Sequence, residues 1–424
     1  MPSPTCAKAM LAATPPMGWN SWDCWGPAVR EETVRRNAAF MARHLKRFGW
    51  EYIVVDIQWY EPAASSYNYH PFAPLCMDGF SRLVPAENRF PSAAGGKGFA
   101  PLAQYVHSLG LKFGIHIMRG IPRQAVHAGT PILGTSATAR DIARDSVCGW
   151  NTDMYGVDPG KDGAKEYYDS LFALYASWGV DFVKCDDICR ELPHAEAELE
   201  LISRSLRGCG RDMVLSLSPG PALPEKAEVY RKTANMWRIT DDFWDKWELL
   251  YDMFRRADTW APFAGPGGWP DADMLPLGPL RQNEDKNGWT RFTPAEQKCM
   301  LTLWSIFRSP LMIGGDMPGF DEFTLGLLTN PGILEMHRLA RRSRQAKRER
   351  DEAGELAVWT ADREGGGRYA ALFNLGDGPR KVVPGLEPGF EQADTLADLW
   401  SGETVSASAP VTLPPHGAAA YRIG

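Results

Sequence analysis

Two acidic residues stand at the ends of separate apolar runs. Asp186 lies in Lys184-Cys185-Asp186-Asp187, and Asp242 closes Trp237-Arg238-Ile239-Thr240-Asp241-Asp242. Carboxylates carried by two different strands suit the cleavage of a sugar acetal, where one acid attacks or stabilises the anomeric carbon and another protonates the departing oxygen. Asp187 and Asp241 sit beside these candidates, but strand alternation turns Asp187 away from the face that carries Asp186. The His and Asp residues show no tight ligand spacing, so neither a metal nor any other cofactor is expected.

The elements that would position these acids recur along the chain. Glu31 to Phe48 reads as a helix ended by Gly49, and Glu51 to Asp56 follows as a β-branched strand. Pro101 to Leu109, Gly110 and Leu111 to Ile117 repeat the unit, as do Ala164 to Trp178, Gly179 and Val180 to Asp186. Met213 to Leu217 and Asn235 to Arg238 continue the series, and Pro310 to Gly315 closes it. Helix, glycine, buried strand and a polar residue at the strand's C-terminal end is the grammar of an α/β fold, a (β/α)8 TIM barrel with its chemistry on that rim. An open doubly wound sheet would carry a glycine-rich phosphate turn after its first strand, and none is present.

After about residue 340 the pattern changes to short runs separated by Gly, Pro and Asp: Val358 to Thr360, Tyr369 to Leu375, Ala397 to Trp400 and Ala418 to Ile423. These read as a C-terminal antiparallel β-sandwich. The expected division is therefore a catalytic barrel over 1–340 and a sandwich over 341–424. The basic segment from Arg338 to Arg350 reads as the solvated face of a last helix.

With 424 residues, 44% of them hydrophobic, the chain can bury a large core. A net charge of -6 offers no basic field for nucleic acid or anionic lipid, so a neutral carbohydrate is the expected partner. The sequence does not fix an oligomeric state. No run of about 18 apolar residues could span a membrane. Met1 to Cys6 lacks the apolar core of a secretory signal, which points to the cytoplasm, although a secreted chain whose leader has been removed would read the same. The eight cysteines are scattered and read as free thiols.

Thr14-Pro15-Pro16-Met17-Gly18-Trp19-Asn20-Ser21-Trp22 resembles the opening signature of the family 27 glycoside hydrolases, the α-galactosidases and α-N-acetylgalactosaminidases. Further likenesses follow in order: Val55 to Trp59, Gly110 to His116, Phe182 to Asp186, Trp237 to Asp242, Gly267 to Met274 and Ser309 to Asp316. The resemblance implies a barrel followed by a β-domain and a retaining double displacement, with Asp186 as nucleophile and Asp242 as acid/base. It also implies that Lys184 and Arg238 hold ring hydroxyls, that Asp56 and Asp273 grip the sugar, and that Trp19 lines the pocket floor. Trp59, His116 and Ser218 complete the expected substrate contacts.

Physical chemistry fits that division of roles. Lys184, two residues before Asp186, shares its strand face and favours the ionised form that a nucleophile requires. Asp242 is expected to be buried, with a pKa raised by that burial and by the nucleophile's charge. A carboxylate separation of ~5 Å, the retaining geometry, is expected.

Departures from the family pattern bear on the sugar. Galactose-specific members carry two consecutive Asp where this chain has Asp56-Ile57, the family's Tyr is His116, and a usual disulfide partner is replaced by Ile188. Ser218-Pro219-Gly220 leaves room beside C2, which the insert from Arg119 to Tyr155 could fill instead. The leading expectation is an exo-glycosidase for terminal α-linked galactose. The alternatives are an α-N-acetylgalactosaminidase, a β-L-arabinopyranosidase and a non-catalytic sugar-binding protein.

Overall fold

The computed structural model describes residues 11–391 and 393–424. Met1 to Cys6, on which the reading of a missing leader rested, lies outside the described residues.

Eight short parallel strands form one sheet: β1 (Met17–Asn20), β2 (Tyr52–Val55), β3 (Lys112–Met118), β4 (Phe182–Asp186), β5 (Val214–Leu217), β6 (Met236–Arg238), β7 (Trp269–Asp271) and β8 (Leu311–Ile313). They pair in chain order, and β8 returns to β1 through Met17↔Leu311. Beyond β7 the chain reaches Leu275, which bridges in parallel to Ile313 and donates its N–H to the Met312 carbonyl at 2.7 Å. That contact closes the cylinder into a (β/α)8 barrel. Every residue of β2 is buried, as expected for a parallel strand covered on both faces.

The connecting helices carry their own stop signals. Ala164–Trp178 ends at Gly179, whose φ of 83° is a left-handed cap that releases the chain into β4. Pro294–Phe307 starts with a capping box between Thr293 and Glu296.

The insert after β3 forms a small antiparallel sheet of Ile121–Pro122, Met154–Val157 and Ala143–Val147. Its last turn, Trp150 to Asp153, folds back over the barrel rim. Asp153 there accepts hydrogen bonds from Gln58 Nε2 at 2.7 Å and from Tyr60 at 2.8 Å.

The C-terminal sandwich corrects one expectation. Ala340–Asp351 (β9) is not a helix but the edge strand of a six-stranded antiparallel sheet, paired with β10 (Gly354–Arg363). It forms one arm of a hairpin that turns through Glu352 and Ala353 and re-enters the sheet at Gly354, where φ is 110°. Cross-strand pairs anchor it: Arg348 lies 2.6 Å and Arg350 2.8 Å from Glu355. Opposite this sheet, Arg380–Val382 and Val411–Leu413 cover a core that includes Leu356, Leu372, Phe390 and Tyr421.

A histidine joins the sandwich to the barrel. His416 stacks on Trp247 at the start of helix Trp247–Trp260, with ring centroids 3.6 Å apart and planes 8° from parallel. Its ring nitrogens lie 2.8 Å from Glu296 Oε1 and 3.1 Å from Asp377 Oδ1. Among the described residues all seven cysteines are free, and no helix is long and apolar enough to cross a membrane.

Candidate active site

A pocket of about 270 Å³ opens at the C-terminal rim of the barrel. That is a small volume, on the scale of one sugar ring. Strand ends supply most of its charged groups: Lys184 and Asp186 from β4, Arg238 from β6, Asp56 just after β2, and Asp273 just after β7. Loops add Trp22, Asp23, Ile57, Tyr69, Trp150, Arg190, Pro219, Asp241, Asp242 and Met274.

Asp186 is buried and bonded on both oxygens. Ser218 Oγ donates to Oδ1, and His116 Nε2 lies 2.9 Å from Oδ2, with Lys184 Nζ 3.7 Å from the same oxygen. Parallel register makes this possible, because β3 and β4 align His116 with Lys184 and Met118 with Asp186. Burial alone would raise the Asp186 pKa, but Lys184, His116 and Arg238 outweigh it and hold the carboxyl far below the usual range. Asp186 is therefore an ionised acceptor, and the shared proton sits on His116 Nε2.

The backbone behind Asp186 is pinned by Arg119. Its N–H donates to the Asp186 carbonyl at 3.0 Å, its Nε to the Asp187 carbonyl at 2.7 Å, and its Nη2 to Asp187 Oδ2 at 2.7 Å. Asp187, the first residue past β4 and with a left-handed φ of 60°, faces Arg119 and is absent from the pocket wall. The fourth arm of this buried network is Glu198, 3.2 Å from Arg119 Nη1.

Lys184 also donates to Asp56 Oδ2 at 2.8 Å, and Asn20 Nδ2 reaches the same oxygen at 2.6 Å. Burial opposes the lysine's charge, yet Asp186 and Asp56 together raise its pKa. Asp56, His116 and Asp186 bring three donor atoms within 4.8 Å of one another, which corrects the expectation that no such cluster would form. The Lys184 ammonium already stands among these groups as their cation.

On the far wall Arg238 bridges two carboxylates, with Nη2 2.8 Å from Asp242 Oδ1 and Nη1 2.8 Å from Asp273 Oδ1. Burial outweighs this ion pair at Asp273, and with Asp242 and Asp271 nearby its pKa rises to about 7. Asp242 departs from expectation: its side chain is 54% exposed, not buried, because it stands in the loop after β6, beyond the packed strand end. Asp241 beside it pairs with Arg190 at 2.8 Å on the rim.

The other expected contacts sit behind the wall. Trp19 is buried with its indole N–H on the Gly315 carbonyl at 2.9 Å, so the barrel interior claims it. Trp22, which sequence reasoning passed over, takes the place in the pocket expected of Trp19; it lies three residues later, where the chain has left β1, and stacks near Tyr69 at 5.8 Å. Trp59 donates to the His116 carbonyl at 2.8 Å and supports the histidine from below. His116 and Ser218 touch Asp186 and do not line the cavity. Tyr69 and Trp150, 5.7 Å apart, come from loops without a readable period.

An ionised carboxylate held by a lysine and a histidine stands in one small pocket with a solvent-reached carboxyl on an arginine. That pairing can cleave acetals. Residues 155–338 match the family model for α-galactosidase A, and 353–423 match the α-galactosidase C-terminal β-sandwich model. The chain is 53% identical to a GH27 β-L-arabinopyranosidase from Geobacillus stearothermophilus, over 98% of both chains, with a TM-score of 0.93. The chain belongs to glycoside hydrolase family 27. This family 27 enzyme is also 49% identical to an α-N-acetylgalactosaminidase-like protein of Bacillus halodurans, over 97% of both chains, with a TM-score of 0.85. Its identity to the α-galactosidase of Coffea arabica is 30%, over 93% of this chain and 88% of the relative. A glycoside hydrolase it is, and the family's members differ in the sugar they release.

Proposed function

We propose that this enzyme removes a terminal galacto-configured pyranose by retaining double displacement, and that its preferred sugar is β-L-arabinopyranose, which is the galactose ring without its C6 hydroxymethyl group. Asp186 attacks the anomeric carbon, and the departing oxygen takes the proton of Asp242. Asp242 then removes a proton from water, which displaces Asp186 and leaves the configuration of the glycoside unchanged. The ionisation of Asp186 by its cationic neighbours supports its role as nucleophile. The solvent access of Asp242 supports its role as the group that exchanges a proton in each half-reaction.

The preference rests on Ile57. It lines the pocket beside Asp56, at the place where the galactose-specific pattern has a second carboxylate. Its apolar side chain offers no hydrogen bond to a hydroxymethyl group, and burying that hydroxyl unpaired carries a cost. A pentopyranose has no group there to leave unsatisfied. The relative named as a β-L-arabinopyranosidase points the same way. The α-galactosidases among the relatives favour the second reading, an enzyme whose main substrate is a terminal α-galactoside.

Nitrophenyl β-L-arabinopyranoside and α-D-galactopyranoside, assayed side by side, test the proposal. The expected result is a kcat/KM ratio of about tenfold or more in favour of the arabinoside, the size of one hydrogen-bond difference. A ratio favouring the galactoside refutes the preference. Asp186→Ala is expected to lower kcat by at least about a thousandfold on either substrate, and a variant that turns over normally removes the mechanism.

A further inference from the structure

Asp23 is the one carboxyl of the pocket wall whose surroundings the mechanism leaves unexplained. It follows Trp22 in the short helical turn Trp22–Trp25, is only 2% exposed, and lines the same cavity as Asp186 and Asp242. Its backbone is fixed: the Asp23 carbonyl accepts from the Tyr67 hydroxyl at 2.7 Å and from the Arg281 N–H at 2.8 Å. Its side chain is not, for Oδ2 is buried with no hydrogen-bond partner among the described residues.

The neighbouring cations are committed elsewhere. Lys184 is held by Asp56 and Asp186, and Arg238 by Asp242 and Asp273. What remains around Asp23 is a set of carboxylates and a cradle. Gly314, at the end of β8, leaves the space that Oδ2 occupies, since a Cβ there would lie 2.2 Å from that oxygen. A buried polar group without a partner carries a desolvation penalty that an apolar residue of the same shape would avoid. Oδ2 is turned to the Gly314 backbone and closed to solvent, so the oxygen left to meet a ligand in the cavity that Asp23 lines is Oδ1.

We propose that Asp23 is a further substrate-binding residue, whose carboxyl forms a hydrogen bond with a hydroxyl of the sugar held in this pocket. The inference rests on the reading of the pocket as the seat of a sugar ring. Burial, followed by the charges of Asp273 and Asp242, raises the carboxyl's pKa well above the usual range and so favours its protonated form. A neutral carboxyl offers one donor and one acceptor, which is also what a sugar hydroxyl offers. It adds no further negative charge to a pocket where Asp186 must remain a nucleophile.

The test compares wild type with Asp23→Asn and Asp23→Ala, using the nitrophenyl glycoside that wild type hydrolyses and the thermal shift produced by L-arabinose and by D-galactose. Asp23→Asn, which keeps a donor and an acceptor in the same shape, is expected to hold KM within about threefold of wild type. Asp23→Ala is expected to raise KM by about tenfold or more and to lose the sugar-induced shift, with its own unliganded midpoint little changed. Should the alanine variant fail to fold, Asp23→Ser provides the shortened side chain. A truncated variant with the KM and sugar-induced shift of wild type overturns the proposal, and so does an asparagine variant as impaired as the alanine one. Wild type inactive on every glycoside would instead count against the proposed function, while the thermal shift would still report on the contact at Asp23.

Discussion

Asp186 owes its charge to side chains from several strands: Lys184 on β4 itself, His116 on β3 and Arg238 on β6. At this scale Asp186 and its neighbour Lys184 were legible from strand alternation, while Arg238, Asp56 and Asp273 were legible only through the family resemblance; all five line the pocket. Trp22 and Tyr69 were not legible, since they lie in turns and loops where no periodicity says which way a side chain points, whereas Trp150 belongs to the insert already read as able to reach the sugar. His116 and Ser218 read as sugar contacts, but the one-strand offset between β3 and β4 sets the histidine against Asp186 instead. The residue that departs most from the galactose pattern is also the most direct to test. Ile57→Asp restores a carboxylate beside Asp56, and it is expected to shift the kcat/KM ratio toward the α-galactoside by about tenfold or more. An unchanged ratio across the nitrophenyl pair would show that Ile57 does not read the C5 substituent.

The elements that hold these residues were readable wherever apolar runs met a glycine or a strong cap. Ala164–Trp178 with Gly179 is such a case, and its bounds coincide with the sequence reading. β1 and β7 were harder, being three or four residues long and closed by the barrel's own pairing, not by local signals. β9 was misread because its charges mimic a solvated helix while cross-strand partners lie beyond any local window. Helix Pro331–Leu339 shows how an element is tied to the barrel by a single titratable group. His337, buried, lies with Nε2 2.7 Å from the Ser309 carbonyl just before β8, and burial lowers its pKa to about 3. The unfolded chain binds a proton near pH 6.5 that the folded one refuses, so this stability is present above that pH and lost as pH falls toward 3. Between pH 6.5 and 4.5 the loss amounts to about 2 kcal/mol. His337→Gln, which keeps a donor for Ser309 but does not titrate, is expected to flatten the acid-side fall of the unfolding midpoint. Equal slopes for the two proteins would rule out this origin.

For the whole molecule, the succession of barrel and sandwich was plain from the change in grammar near residue 340, but the contact that locks them together was not. His416 stacks on Trp247 and meets Glu296, which itself caps helix Pro294–Phe307, so one side chain couples the turn before the last strand to two barrel helices. No local pattern announces such a pairing, because the partners are separated by more than a hundred residues. His416→Ala is expected to cost about 1–2 kcal/mol and to lower the unfolding midpoint by ~1–2 °C, with kcat on the nitrophenyl glycoside unchanged. An unaltered midpoint would mean the stack contributes nothing.

The open flank of the sandwich has a consequence for concentrated solutions. Among the described residues no strand pairs with the outer rim of β9, which carries Arg341, Arg344, Lys347, Arg348 and Arg350. A second copy adding a strand to this rim would first have to desolvate a row of charged side chains and their acidic partners, a device that natural sheets use against fibrous self-association.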